Sequence, residues 1–315
     1  MVANGWSAIV RGVFAVIAIS PALAGCALEA EEAAEQSAEQ GDDQRGIVFN
    51  GIVFNGVNLD GGAIDQTKLH VPVYAGAYEG SETLLGVQLS QHANSLIGWT
   101  HDSEFYEDND FVGVEQKLTL NLGDADEESF VLQVAGIHET EWEGVRSLDL
   151  RYRPLSGGAW SSPCVDENDN PTRAILMHGR YGDDLERTHA FNDTHTMTIA
   201  CEDSVIGKCL TAGYASWVDQ SMADLHQTCV RMVYADYCGV GEPNTENGTA
   251  IDLEDLYGIQ TFETDWPIEA AWSRDGALCL NAPRKLGTQL SCALPTCTEE
   301  HLGNATIVSK AIPSL

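Results

Sequence analysis

Eight cysteines in the second half of this 315-residue chain restrict its fold more than any other feature. They are Cys164, Cys201, Cys209, Cys229, Cys238, Cys279, Cys292 and Cys297, and a ninth, Cys26, stands alone near the N-terminus. An even number of cysteines in an exported chain predicts a disulfide framework, although eight cysteines allow on the order of a hundred pairings. A structural metal would need paired Cys-x-x-Cys or histidine spacings, which the sequence lacks. We therefore predict disulfide bonds, no metal site and no cofactor.

The N-terminal segment predicts export. Residues 1–25 carry one charged side chain, Arg11, before an apolar run that is short for a membrane span. The run ends in Leu23-Ala24-Gly25-Cys26, which resembles the lipobox of bacterial lipoprotein signal peptides. The resemblance implies cleavage before Cys26, acylation of its thiol and anchoring in a lipid bilayer, and Ala27 favours the outer membrane or cell surface. The alternative is an ordinary secretory signal peptide with a chance cysteine beside its cleavage site.

Two low-complexity segments follow the predicted anchor. Residues 26–45 predict a disordered acidic tether, because they contain too few large apolar side chains to pack. Residues 46–61 then repeat every five positions, beginning with two identical copies of Gly-Ile-Val-Phe-Asn. This segment resembles a pentapeptide repeat, which would imply part of a β-solenoid, but three copies make less than one full coil. We favour short strands with Asn-Gly turns that lie on the following domain.

Residues 62–158 have the composition of a β-rich region. Strand-like segments occur at 70–74, 84–89, 116–122, 130–134 and 147–152. In the third of these, Leu118, Leu120 and Leu122 alternate with polar residues, as in a half-buried strand. Strands separated by turn clusters, without helices between them, predict a small antiparallel sandwich or barrel. The region contains no cysteine, so its own apolar core must stabilise it.

Residues 159–297 are interpreted as a second, disulfide-stapled α+β domain. The predicted fold class is therefore α+β, with an antiparallel β-rich N-terminal region and a domain boundary near residues 155–162. Strands are predicted at 174–177 and 196–200. Helices are expected to dominate from Cys201 onward, with one long helix and short ones near 252–257 and 267–274. Residues 298–315 are interpreted as a tail.

The long helix runs toward Cys238. Apolar residues at helical spacing include Met222, Leu225, Cys229, Met232 and Val233, and the sequence Ser221-x-x-Asp224 predicts a capping box at the start. Two glycines directly after Cys238 predict the end of the helix. Cys229 and Cys238 would lie about 13 Å apart along a helix, whereas disulfide-bonded Cα atoms lie within about 7 Å. Each is therefore expected to bond to a different cysteine elsewhere.

The same stretch carries a family resemblance. Ala235-Asp236-Tyr237-Cys238 followed by Gly239-Val240-Gly241 resembles the signature of the ADYC domain family. Flanking matches extend the resemblance from about Trp160 to Arg284 and include Gly207-Lys-Cys209, His226-Gln-Thr-Cys229 and Gly276-Ala-Leu-Cys279. The resemblance implies a secreted, cysteine-rich bacterial lipoprotein of a family without an assigned activity.

The charge of the chain excludes one class of partner. Lysine and arginine number 16 against 48 acidic residues, which gives a formal net charge of −32. Such a charge repels nucleic acid and anionic lipid surfaces, so we predict no nucleic-acid partner. The same charge favours solubility and loose association with divalent cations.

Several motifs begin like metal sites and then depart from the pattern. The segment Asp166-Glu-Asn168-Asp-Asn170 starts like an EF-hand loop, but proline and methionine stand where the required glycine and bidentate glutamate belong. We interpret it as a surface turn, and the acidic run at 102–110 as a solvated loop. His138-Glu139 starts like a zinc-protease helix, yet Trp142 occupies the second histidine position. His189 and His195 have no third ligand nearby in sequence.

Two further candidate sites remain. His226, Arg231 and Asp236 could form a polar site, with the histidine as base, the aspartate as its orienter or as an acid, and the arginine as an anion clamp. Positions 226 and 236 lie about 15 Å apart on a helix, so a structural role for these residues is favoured. The second candidate is an aromatic binding patch at Tyr214, Trp217 and Trp272.

The sequence leaves two function classes open. The first is a non-catalytic envelope or surface module that binds an envelope protein or a glycan. The second is an exported hydrolase whose residues come together only in the fold, because the sequence contains no Gly-x-Ser-x-Gly elbow, phosphate loop or dinucleotide fingerprint. A pocket lined by polar side chains would favour the enzyme, and a shallow aromatic patch would favour binding.

Overall fold

The computed structural model of the chain describes residues 47–48, 63–65, 74–75, 84–90, 93–100, 103–121, 127–166, 168, 170–179, 181, 185–187, 196–246 and 248–313. The predicted signal peptide, Cys26 and the acidic tether lie outside these residues, as does most of the five-residue repeat. Across the described ranges, every helix is too short or too polar to cross a membrane.

These residues form fifteen strands and three α-helices, most of them short. The strands are β1 (Ile47–Val48), β2 (Ala63–Asp65), β3 (Tyr74–Ala75), β4 (Leu84–Leu89), β5 (Leu96–Thr100), β6 (Phe105–Glu107), β7 (Val114–Asn121), β8 (Glu127–Glu139), β9 (Arg146–Pro154), β10 (Ala174–His178), β11 (Thr196–Cys201), β12 (Ala250–Asp255), β13 (Ile268–Ser273), β14 (Gly276–Leu280) and β15 (Ile307–Ala311). The helices are α1 (Val205–Thr211), α2 (Gln220–Tyr234) and α3 (Glu299–Gly303). Mixed helices and antiparallel sheets confirm the α+β class.

A seven-stranded antiparallel sheet is the largest layer, in the order β2-β11-β10-β9-β8-β7-β3. A second, three-stranded sheet has the order β4-β5-β6. One face of the large sheet packs against this part of the chain, where Leu132, Leu148 and Leu150 share a core with Leu89 and Phe111. Alternation of apolar and polar side chains along β9 puts every second side chain in this core, which is how a half-buried strand is stabilised.

The sheet crosses the domain boundary that we predicted between residues 158 and 159. Strands β10 and β11 follow that boundary in sequence, yet β10 pairs with β9 through Ala174 and Leu148. Ile175 and Met177 also share one apolar core with Val145, which precedes the boundary. The predicted division therefore needs correction, because a hydrogen-bonded sheet and a common core join the two regions.

The second correction concerns the C-terminal region, where the predicted short helices at 252–257 and 267–274 are wrong. Residues 250–255 and 268–273 are strands of a five-stranded antiparallel sheet, in the order β1-β12-β15-β13-β14. The predicted tail supplies the central strand of this sheet, β15. Along this strand every second side chain is buried, at Ile307, Ser309 and Ala311. Four consecutive buried residues in β13 show no alternation, so the sequence pattern does not identify this segment as a strand.

Helices α1 and α2 share one apolar core with both large sheets. Leu225, Val230 and Met232 of α2 pack with Ile175 of β10 and with Ile307 of β15. The N-cap of helix α2 is Asp219, two residues before the predicted N-cap Ser221, since the Asp219 carboxylate accepts a hydrogen bond from the Met222 amide at 2.9 Å. It ends at Tyr234, so Cys238 lies beyond the helix and not at its end as predicted.

The eight C-terminal cysteines form four disulfide bonds, which confirms the predicted framework. The pairs are Cys164–Cys201, Cys209–Cys229, Cys238–Cys292 and Cys279–Cys297. Cys229 joins α2 to α1, and Cys238 joins the segment after α2 to the loop after β14. The two cysteines of the signature region therefore have different partners, as expected from their separation.

Candidate functional site

The four signature residues 235–238 form a buried structural unit at the end of α2. Ala235 adopts the left-handed conformation, with φ 52° and ψ 39°, and thereby ends the helix. The Asp236 carboxylate is completely buried and accepts hydrogen bonds from the amides of Val240 and Gly241 at 2.9 and 2.8 Å. Arg231, one turn earlier in α2, forms an ion pair with the same carboxylate. The aspartate thus satisfies the backbone of the turn that follows the helix.

Tyr237 connects this turn to the five-stranded sheet. Its hydroxyl donates a hydrogen bond of 2.5 Å to Glu269, and its ring stacks on Trp272 at a centroid distance of 5.2 Å. Glu269 also forms a bidentate pair with Arg284, with distances of 2.7 and 2.8 Å, and accepts a hydrogen bond from Ser309. Burial raises the pKa of the Tyr237 hydroxyl well above 10, so it remains a hydrogen-bond donor.

Gly239 allows the turn to approach the β13–β14 hairpin. A Cβ atom at this position would lie 1.9 Å from the carbonyl oxygen of Asp275, and the backbone φ is +69°. The neighbouring Cys238 is bonded to Cys292, so the turn is also fixed covalently. Every residue from Ala235 to Gly239 therefore has a packing, hydrogen-bonding or disulfide role.

We expect Gly239→Ala to destabilise the protein by at least about 2 kcal/mol more than Gly258→Ala. Both glycines have φ near +70°, and that conformation alone costs an alanine about 1–3 kcal/mol. A Cβ at Gly258 meets nothing within 4 Å, whereas one at Gly239 forces the backbone of Asp275 to move. Urea denaturation of both variants gives the comparison. Equal losses of stability would contradict the close approach.

The structure does not bring the three predicted polar residues together as a site. His226 is fully buried, and its ring nitrogens lie 2.7 Å from the Tyr181 hydroxyl and 3.2 Å from the carbonyl oxygen of Ile206. Burial lowers the pKa of His226 to about 3, so the ring is neutral and its ε-nitrogen donates to the carbonyl. The Arg231 guanidinium instead joins Asp236 to Glu186. His226 is therefore a core residue and not a general base.

The predicted aromatic binding patch is also corrected. Tyr214, Trp217 and Trp272 are each no more than 2 % exposed and belong to the main apolar core. The Tyr214 hydroxyl reaches Asp255 at 3.2 Å, and the Trp272 indole N–H donates to Ser309 at 2.8 Å. All three rings therefore pack inside the protein, where Tyr214 and Trp272 also satisfy their polar atoms, so these rings cannot contact a partner.

The acidic motifs have local roles. One Asp166 carboxylate oxygen accepts the amides of Asn168 and Asn170 at 2.8 and 2.9 Å, as in an Asx-type surface turn. Asp108 in the second acidic segment forms an ion pair with Arg146. Among the residues that the structure describes, no group of three or more histidine, cysteine, aspartate or glutamate side chains is placed to hold a metal.

An open cleft lies where β8 ends and β9 begins, beside the turn from β11 into α1. Its volume is roughly 530 Å³, within the range of small-molecule sites. All lining residues except Ala212 have polar side chains; they are Glu139, Thr140, Glu141, Ser147, Arg173, Glu202, Asp203, Lys208, Thr211, Ala212 and Gln260. The sequence analysis assigned none of these residues to a site.

Two side chains make the inner part of this cleft chemically distinct. The Ser147 hydroxyl is buried and has no hydrogen-bond partner among the described residues. Lys208 is 8 % exposed, and burial lowers its pKa to about 8 against the opposing effect of Asp203. The sequence feature that could have indicated a buried Lys208 is its place between apolar residues of the short helix α1.

A histidine–carboxylate pair lies on the same face of the sheet as Ser147. His138 of β8 is directly opposite Ser147 of β9, and its ε-nitrogen lies 2.8 Å from the Asp149 carboxylate. Gly136 makes room for this pair, since a Cβ there would lie 2.8 Å from the carboxylate oxygen. Arg173, which lines the cleft, approaches Asp149 at 3.7 Å. The pair thus adjoins the cleft through Ser147 and Arg173.

Comparison with known proteins gives one match. The sequence profile of the ADYC domain matches residues 108–286, which is more than half of the chain. The match begins well before the residues on which we based the resemblance and includes β7, β8 and β9, consistent with a continuous sheet. No curated protein and no solved structure matches the chain.

Proposed function

Because the chain belongs to the ADYC domain family, we propose that it is an exported, acyl-anchored lipoprotein whose folded part binds a ligand in the polar cleft without catalysing a reaction. The observation that carries the proposal is the contrast between two groups of polar residues. Asp236, Tyr237 and Arg284 are buried and hydrogen-bonded within the fold, so the signature serves stability. Ser147 and Lys208 are among the residues that line an open cleft, and the buried serine hydroxyl has no partner among the described residues.

The proposed location is the outer membrane or cell surface, where the ligand would come from an envelope protein or a glycan. The Leu23-Ala24-Gly25-Cys26 motif supports lipid anchoring, and the acidic segment that follows supports a tether between anchor and domain. The net charge of −32 disfavours nucleic acid as a partner.

Cys26→Ser should release the protein from membranes, because the serine hydroxyl does not take the acyl groups that hold the chain in the bilayer. The measurement is fractionation of cells together with metabolic labelling by a fatty acid. A Cys26→Ser protein that fractionates with membranes as the wild type does would refute the anchor.

A hydrolase is the second candidate function, and the specific observation in its favour is Ser147 opposite the His138–Asp149 pair. Side chains directly opposite in antiparallel strands have Cβ atoms about 4.5–5.5 Å apart, so a histidine at this position is within reach of a serine hydroxyl. The two candidates differ in one measurement. Labelling of the wild type, but not of Ser147→Ala, by a fluorophosphonate probe would favour the hydrolase, and absence of labelling at Ser147 favours the binding module.

A further inference from the structure

We propose that the cleft binds a segment of an envelope protein that carries two neighbouring lysines, and that it holds their side-chain ammonium groups. This inference rests on the proposed binding function and adds the chemical class of the ligand. It follows from the carboxylates of the lining, from the direction of its hydrogen-bond donors and from a buried hydroxyl group without a described partner.

Two carboxylates of the cleft lining have no opposite charge among the residues that the structure describes. Glu141 is exposed and Glu202 is half-buried, and neither side chain forms an ion pair or a hydrogen bond with a described residue. Glu139 differs from them, because it pairs with Arg146 at 3.0 Å. Positive groups on a ligand would balance the charges of Glu141 and Glu202, most strongly where water is partly excluded.

The two cations of the lining already have negative charges beside them. Lys208 is engaged within the protein, where burial lowers its pKa to about 8 and the negative charge of Asp203 acts in the opposite direction. The Arg173 guanidinium approaches the Asp149 carboxylate at 3.7 Å. Because each cation has an acidic neighbour, the cleft is better suited to a positively charged ligand than to an anion.

The neutral side chains of the lining use hydrogen-bond donors within the protein. The hydroxyl groups of Thr140 and Thr211 donate to backbone carbonyl oxygens at 2.8 and 3.0 Å. One N–H of Gln260 donates to another backbone carbonyl at 2.9 Å, while its side-chain oxygen accepts no hydrogen bond from a described residue. With the two carboxylates, this leaves the lining richer in acceptors than in donors. An ammonium group has only donors, whereas a glycan hydroxyl both donates and accepts, so this excess favours ammonium groups over a glycan.

Ser147 is the observation that points to a ligand beyond charge alone. It is 1 % exposed and lines the cleft, and its hydroxyl forms no hydrogen bond with a described residue. A buried hydroxyl costs free energy until a partner satisfies it. An ammonium group can donate to the serine oxygen, and such charge-assisted hydrogen bonds are stronger than neutral ones. The hydroxyl therefore adds a directional contact for a ligand that the carboxylates attract.

Lysine side chains suit the positions of the two carboxylates. Glu141 follows β8 and Glu202 follows β11, so the ligand must reach groups on different elements. Ammonium groups on flexible four-carbon chains can adapt to that separation. A divalent metal ion is less suitable, because the described residues contain no group of three or more side chains placed to hold one. The formal charge of −32 also attracts cationic segments to the protein.

Isothermal titration calorimetry on the mature full-length chain tests the proposal with blocked dipeptides. The first probe is N-acetyl-dilysine amide. Its two counterparts have one lysine replaced by alanine, or both lysines trimethylated, which keeps the charges but removes their N–H donors. We expect dilysine to bind at least about tenfold more tightly than either counterpart, because each lacks charge-assisted hydrogen bonds.

Variants of the cleft identify the groups responsible. Glu141→Gln together with Glu202→Gln should weaken dilysine binding at least about tenfold, because the amides carry no charge. The matched control is Glu299→Gln together with Glu300→Gln, the same charge change at two exposed residues of α3 outside the cleft, which should alter the affinity less than about twofold. Ser147→Ala should reduce the preference for dilysine over its trimethylated counterpart. If Ser147→Ala does not fold, the two glutamate pairs still decide the proposal.

The possible outcomes separate this inference from the proposed function. Equal binding of dilysine and its trimethylated counterpart, equal weakening in the two glutamate pairs, or no binding of dilysine would overturn the lysine proposal. An uncharged sugar that binds to the wild type but not to Ser147→Ala would overturn the ligand class while supporting a binding cleft. Cleavage of the dilysine probe detected by mass spectrometry would retain the ligand class and refute the non-catalytic function.

Discussion

Arg284→Met is expected to lower the free energy of unfolding by about 3–5 kcal/mol, which is enough to prevent folding if the wild-type stability lies near the low end of the usual range of about 5–15 kcal/mol. Arg284 and Glu269 are completely buried and form a bidentate pair with N–O distances of 2.7 and 2.8 Å. Methionine fills much of the same volume but leaves the Glu269 carboxylate buried with hydrogen bonds from Tyr237 and Ser309 and no opposite charge. The measurement is urea denaturation monitored by tryptophan fluorescence, or the soluble yield if the variant does not fold.

Two companion variants identify the buried charge as the cause. Arg284→Met combined with Glu269→Gln should recover part of the lost stability, because the amide carries no charge, and its oxygen can accept from the Tyr237 hydroxyl while its NH2 group donates to the Ser309 hydroxyl oxygen. Lys285→Met changes the next residue, which is exposed, and should alter stability by less than about 1 kcal/mol. A loss below about 1 kcal/mol for Arg284→Met itself would contradict the role assigned to the pair.

The second large effect is a loss of stability in acid that depends on His226. Burial holds the pKa of His226 at about 3 in the folded chain, compared with an ordinary value of 6.5. The unfolded chain therefore binds a proton between these values that the folded chain excludes, and stability falls as the pH decreases from 6.5 toward 3. This difference between the two pKa values lowers the free energy of unfolding by about 4–5 kcal/mol once the pH has fallen to about 3. Above pH 6.5 this residue contributes no pH dependence.

The test compares wild type with His226→Gln across the same pH range. Both proteins contain the same carboxylates, so the difference between their stability curves isolates the histidine. Glutamine keeps one donor and one acceptor for Ile206 and Tyr181 but does not titrate, so its stability should fall less steeply below pH 6.5. His301→Gln, a change at a less buried histidine in α3, is the control. Parallel curves for wild type and His226→Gln would show that His226 takes up a proton in the folded state.

Local sequence patterns determined several features correctly. Alternation of apolar and polar residues located β7 and β9, helical spacing located α2, and the even cysteine count in a chain with a predicted export signal indicated disulfide bonds. The separation of Cys229 and Cys238 excluded a bond between them. The signature at 235–238 also indicated the family. These features depend on periodicity, residue type or distance within one element, all of which are encoded in neighbouring residues.

Where the local sequence pattern and the tertiary environment disagree, the tertiary environment determines the secondary structure and the burial of side chains. Residues 268–273 form a strand covered on both faces, so they lack the alternation by which a strand is recognised. Residues 307–311 are too few to identify alone, yet pairing with β12 and β13 makes them the centre of a sheet. The aromatic side chains that could have formed a surface patch are buried because two sheets and two helices share one core.

The candidate site depended on the fold in the same way. Ser147, Arg173 and Lys208 come from two adjacent strand ends and a helix, and none of them carries a motif that relates it to the others. The Glu269–Arg284 pair likewise depends on the fold. Its two residues come into contact only because the chain reverses direction between β13 and β14. The sequence by itself determined the family, the export signal as a prediction and the disulfide-rich α+β class. The tertiary structure alone decided the disulfide partners, the structural use of the signature and the cleft, because each depends on contacts between residues far apart in the chain.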